Sequence, residues 1–143
     1  MNEVPIDEPC VISKYIENPY LIHGKKFDIR IYVLVNSFDP LKIYVYEEGL
    51  VRFASEDYNN DGKSLNKYMH LTNYSINKKS DKFVANEDVD ADDVGNKWSL
   101  KGLNRYFESI GIDAGFVWSK IYDVIIKSVI SIDEKIIEQI KKY

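Results

Sequence analysis

The sequence predicts an α+β (mixed α/β) domain in which antiparallel strands come first and helices follow. Three observations carry this. FDIRIYVLV at residues 27–35 is dense in β-branched and aromatic side chains, as strands are. A second alternating run, LKIYVY at 41–46, follows the turn-forming SFDP at 37–40, which suggests an antiparallel hairpin. After Trp98 the apolar residues change to helical spacing.

The elements follow in order. Residues 10–16 read as a short strand, closed at Glu17, Asn18 and Pro19, because the residue before a proline is pushed out of the helical region. Gly49 marks a turn or bulge, and an extended piece runs on through Arg52 and Phe53. Residues 56–66 and 86–96 are polar and loop-like. Ser99 is placed to cap a helix carrying Leu100, Leu103, Phe107 and Ile110, with Gly111 as its stop. Asp113 can cap a second helix whose apolar face is Val117, Ile121, Val124, Ile125, Val129 and Ile132; residues 133–143 continue as a more polar helix. Trp98 and Trp118 are expected as core anchors, and Cys10 as a small buried residue.

Composition narrows the function. At 143 residues the chain fits one domain, and 45% hydrophobic residues are enough for a packed core. A formal net charge of −4 argues against a dedicated nucleic-acid binder. One cysteine excludes an internal disulfide and a cysteine-rich zinc site, and fits a reducing, intracellular setting. The first ten residues lack the basic and apolar regions of a secretory signal, and no apolar run reaches the ~20 residues of a membrane span, so no membrane role is expected. The acidic EDVDADD fails as a calcium loop: starting at Asp88, the glycine and glutamate positions hold Asp93 and Ser99. His23 and His70 are isolated, so no metal site is expected from them.

The chemistry concentrates on residues 26–35. Alternation puts Phe27, Ile29, Ile31, Val33 and Val35 on one face and Lys26, Asp28, Arg30 and Tyr32 on the other. Such a charged face is either solvated or an anion site. Leu34, with Tyr44 and Tyr46 on the neighbouring run, suggests partial cover, and covered charges must be paired, wet or ligand-bound. Arginine is suited to forked contacts with phosphate or carboxylate, so a site for such anions and a solvated face stand level.

Four strings, KYIENPYLI, KKFDIRIYVLV, EGLVRFA and HLTNYSIN, occur in that order, and together they resemble the tubulin-tyrosine-ligase-like family, above all its polyglutamylase members. The resemblance implies a partial ATP-grasp fold: an extension at 1–10, nucleotide-binding strands at 11–78, a variable loop at 79–97 and helices at 98–143. It implies ATP and magnesium as cofactors, with adenine held by Ser13, Lys14, Tyr15 and Ile16; the family usually has Gln where Ser13 stands. Lys26, Phe27 and Asp28 match contacts to ribose and phosphates, and Thr72 and Asn73 match further nucleotide contacts. Asp28 is expected to hold Lys26 or a ribose hydroxyl. Arg30 and Arg52 match the catalytic arginines. Arg52, Tyr74, Ser75 and Lys97 match the grip on free glutamate, and His70 is expected to fix its turn by hydrogen bonding.

The implied reaction adds glutamate to glutamate side chains of tubulin tails or similar acidic tails, through an acylphosphate. Implied partners are tubulin, microtubules and free glutamate. The implied location is the cytoplasm and cytoskeleton, including cilium or basal body. The family's lysine-bearing N-terminal part and its Glu-x-Asn magnesium ligands are expected outside this chain, so these residues alone are expected to be inactive. Tyrosine or glycine ligation, and a non-catalytic ATP- or microtubule-binding module, are the alternatives.

Overall fold

The computed structural model describes residues 9–59, 66–86 and 92–142. The N-terminal residues 1–8, the middle of the first polar loop and residues 87–91 of the acidic run lie outside them. The mixed α+β class holds: a four-stranded antiparallel sheet, order β1-β2-β3-β4, is followed by two helices.

Strand β1 (Leu21–Ile22) and β2 (Lys25–Phe38) form a hairpin around His23 and Gly24, both with positive φ, as the tight hairpin turn that matches strand twist requires. Strand β2 runs further in both directions than the 27–35 core expected of it. Strand β3 (Leu41–Phe53) joins the two extended runs into one element, pairing from Phe27↔Phe53 out to Phe38↔Leu41. Between Ile31↔Gly49 and Val33↔Val45 the register shifts, so residues 46–48 stand against Tyr32 alone. This is the bulge expected near Gly49. A Cβ there would collide with the Arg30 carbonyl oxygen and the Leu100 side chain, so only glycine lets the strand pass.

Strand β4 (Lys97–Ser99) pairs with the inner end of β3 and was not expected, its residues having been read as loop and helix flank. It leads directly into α3 (Leu100–Ser109), capped by Ser99 Oγ accepting from the Gly102 amide at 2.9 Å. The helix closes as predicted. Gly111 has φ +76, its amide donates to Glu108, and the Ile112 amide donates to Phe107 at 2.8 Å, the paired bonds of a Schellman stop. Asp113 then caps α4 (Ala114–Ile140), a single helix that includes most of the polar stretch.

The core is small and lies at the inner end of the sheet. Ile22, Val51, Phe53, Trp98, Leu100, Leu103 and Phe107 are buried, with Phe27 and Ile29 packed against them. Of the apolar face expected of β2, only Phe27 and Ile29 reach this core; Ile31 and Val35 are half-buried beyond it and Val33 is exposed, because the outer part of the strand projects past the core. Trp98 is a core anchor; Trp118 is half-buried and donates to Asn104 Oδ1 at 2.9 Å, tying α4 to α3.

Three expectations fail. Residues 10–16 form no strand; they are exposed and no described strand pairs with them, and Cys10 is exposed rather than buried. Leu34, Tyr44 and Tyr46 are exposed, because the hairpin beyond the bulge projects past the core. On α4 only Val117, Ile121, Ile125 and Val129 of the expected face are partly covered; Val124 and Ile132 are exposed.

Candidate functional site

Register builds the site. Asp28 lies opposite Arg52, and Arg52 lies opposite Lys97, so three charged residues form one row across β2, β3 and β4. Directly opposed residues in antiparallel strands have Cα atoms roughly 4.5–5.5 Å apart. Lys26 and Arg30 flank Asp28 on the same face by alternation. Lys26, Arg30 and Arg52 therefore share one side of the sheet.

Asp28 grips Arg52 in a forked contact: Arg52 Nε donates to Oδ1 at 3.0 Å and Nη2 pairs with Oδ2. The carboxylate raises the pKa of Arg52 further, so the guanidinium stays charged at any working pH. Asp28 was expected to hold Lys26 or a sugar; its side chain instead orients the arginine across the row. The cause is register, since a directly opposed residue is nearer than one two places along the strand.

Lys26 turns outward from the row. Its Nζ donates to the His70 carbonyl at 2.9 Å and to Tyr15 Oη at 3.3 Å, and sits 4.8 Å over the Tyr15 ring. Tyr15 Oη lies 3.0 Å from His70 Nδ1. The Tyr58 phenol donates to the Glu17 carbonyl at 2.8 Å, and its pKa is raised, chiefly through the Tyr15 phenol. The segment with Ser13, Lys14, Tyr15 and Ile16 is thus fastened beside Lys26 through Tyr15, while its other side chains are exposed. His70 was expected to fix its own turn; its ring is instead tied to Tyr15 and its carbonyl to Lys26, in other segments of the chain.

A cleft of about 720 Å³ opens beside the row, lined by Arg52, Lys97, Thr72 and Tyr74 together with Asn77 and Asn96. Thr72 and Asn73 lie between two one-turn helices, α1 (Lys67–His70) and α2 (Tyr74–Asn77), neither expected from the sequence. Tyr74 is not a core residue; its ring is exposed, with Phe83 and Lys78 against it. Ser75 is exposed on α2. Arg30 is exposed outside the cleft lining, over the Tyr32 ring at 5.5 Å. The Phe27 ring packs against Phe53 on the core face, leaving only its backbone for a ligand on the charged face.

The family model for the tubulin-tyrosine ligase family matches residues 1–143. The chain belongs to that family. Tubulin monoglutamylase TTLL4 of Mus musculus is 48% identical over 143 residues, covering 99% of this chain and 12% of the relative. Tubulin polyglutamylase ttll-5 of Caenorhabditis elegans is 48% identical over 138 residues, covering 95% of this chain and 19% of its own length. Tubulin polyglutamylase TTLL7 of Mus musculus is 41% identical over 131 residues, covering 90% of this chain and 14% of the relative. The chain therefore spans less than a quarter of these family members.

Two features of this family member escaped the sequence. Asn77 and Asn96 are buried side chains lining the cleft. Asn96 Nδ2 donates to the Ala54 carbonyl at 3.0 Å, just past β3, and its Oδ1 accepts from the Val84 amide at 2.8 Å, so it joins the start of β4 both to the end of β3 and to the stretch around Val84. The available signal was weak: Asn77 stands four residues after Asn73, one helical turn on. Among the described residues no three His, Cys, Asp or Glu side chains gather as a metal would need, so magnesium has no complete ligand set in them.

Proposed function

We propose that this chain forms one wall of the catalytic cleft of an ATP-dependent protein polyglutamylase. The observation that carries this is the Asp28–Arg52–Lys97 row facing the Thr72–Tyr74 loop across one cleft. ATP would supply the phosphoryl group that turns a glutamate side chain of an acidic protein tail into an acylphosphate, leaving ADP. Attack by the amine of free glutamate would form the amide with loss of inorganic phosphate and a proton. This chain's residues would bind and orient. Tyr15 and Lys26, with the backbone of residues 13–16, would hold the nucleoside end, and Thr72 and Asn73 would hold it from the loop. Arg52, aimed by Asp28, and Arg30 at the outer edge would face developing phosphate charge. Fixed cations in a partly enclosed cleft stabilise such charge better than mobile water does.

The amino acid added is read from Lys97. It has no ion pair among the described residues and lies opposite Arg52, two cations suited to a dicarboxylic amino acid. That favours glutamate over tyrosine or glycine, with Tyr74 and Ser75 on the neighbouring helix as further contacts. The names of the relatives support tubulin as the acceptor and, with it, a cytoskeletal place of action.

The test is an assay of the natural-length protein with tubulin, magnesium-ATP and labelled glutamate, tyrosine or glycine. ATP-dependent incorporation of glutamate alone is the expected result. Incorporation of tyrosine or glycine would transfer the assignment to another ligase activity, and nucleotide binding without any incorporation would favour the non-catalytic module.

A further inference from the structure

We infer that Asn77 is a positioning residue: its buried amide fixes the loop carrying Thr72 and Asn73 to the end of the strand carrying Arg52. The inference rests on the cleft assignment above and adds to it a residue that does not itself touch a reacting group.

Asn77 is 1% exposed and Ser55 is fully buried, so bulk solvent offers neither side chain a ready substitute for a lost bond. Asn77 Oδ1 accepts from the Ser55 amide and from Ser55 Oγ, each at 2.8 Å. Its Nδ2 donates to the Leu71 carbonyl at 2.8 Å and the Asn73 carbonyl at 3.1 Å. A carboxamide has two acceptor directions and two N–H donors, and all four are used. Two bonds go to the continuation of β3, three residues beyond Arg52. The other two go to the carbonyls on either side of Thr72.

The loop needs such a tie. The helices flanking it have four residues each, and a helix that short does not hold its own shape. An apolar side chain at 77 would fill the space but leave the Ser55 amide without its bond in a buried place. An aspartate would keep both acceptor bonds and turn the donor side into an oxygen facing two carbonyl oxygens. That reversal separates a loop fastener from a space-filler.

The experiment compares Asn77→Asp with Phe107→Leu in the natural-length protein. Phe107 is buried in α3 and does not line the cleft. Both variants are assayed well below their thermal midpoints, for kcat/KM and for hydrogen exchange of the peptide covering residues 71–76. Misplacing a binding group by about 1 Å can cost roughly 100-fold. Asn77→Asp is expected to lose about that much in kcat/KM for ATP and to speed exchange in that peptide. Phe107→Leu is expected to lower the midpoint while keeping kcat/KM within about threefold. Asn77→Asp within about threefold of wild type, or an equal catalytic loss in Phe107→Leu, would overturn the inference. Should Asn77→Asp not fold, Ser55→Ala decides: removing one bond to Oδ1 is expected to cost about tenfold, and no change would overturn it. A wild-type protein without ATP-dependent ligation would overturn the cleft assignment instead, and faster exchange at 71–76 in Asn77→Asp would still support the fastened loop.

Discussion

The inner and outer halves of the sheet use similar residues to opposite ends. Inward of the bulge at Gly49, β2 and β3 bury Val51 and Phe53 beneath α3 and present Asp28 and Arg52 on the reverse side. Outward of it, the same two strands carry Tyr32, Leu34, Tyr44 and Tyr46, all exposed, and α4 beside them has no fully buried residue. The difference is packing partners, not strand propensity. Paired charges are held accurately only where the opposite face of the strand is anchored, because the ordering entropy of two long side chains must be offset. The candidate site accordingly lies back to back with the core.

The largest effect expected from that contrast is catalytic. Arg52→Ala in the natural-length protein should lower turnover by about a thousandfold, since a fixed cation facing phosphoryl transfer is worth on the order of 10²–10³ or more. Lys42→Ala, an equal loss of charge on the outer ribbon, should change it less than about twofold. Kinetics on both variants check this. Similar losses from the two would remove any distinction between the halves.

Next comes stability. Leu103 is 1% exposed in the core cluster, so Leu103→Ala should cost about 2–5 kcal/mol through lost burial and a residual cavity. Chemical denaturation of the 143-residue chain measures it. A cost below about 1 kcal/mol would mean that the inner half is loosely packed and cannot hold the row still.

Much of this contrast is legible in the sequence, for local reasons. The caps Ser99 and Asp113 and the stop at Gly111 depend on residues within a turn of one another, so spacing reveals them. Alternation finds the inner part of the apolar face of β2, Phe27 and Ile29, and the family resemblance singles out Arg52, Thr72, Tyr74 and Lys97, which line one cleft. What escapes depends on partners distant in the chain. The Asp28–Arg52 pair spans 24 positions and exists only in the register that the bulge sets. Strand β4 is three residues long and is a strand because Val51 lies beside Trp98. Residues 10–16 show the converse: β-branched side chains without a neighbouring strand form no regular element and stay exposed. Asn77 and Ser55 look like ordinary polar loop residues until burial makes each of their hydrogen bonds count.

The smallest effect tests the outer half directly. Val124 is 63% exposed on α4, and replacing a β-branched residue by alanine in an exposed helix interior favours the helix by about half a kcal/mol. Val124→Ala in the 143-residue chain should therefore leave stability unchanged or raise it by about 0.5 kcal/mol, measured by the same denaturation as Leu103→Ala. A loss above about 1 kcal/mol would require this side chain to be packed in solution, by self-association for example, and the midpoint would then rise with protein concentration. A concentration-independent loss would instead mean that α4 folds back over its exposed side. The two halves would then differ less than their exposure implies.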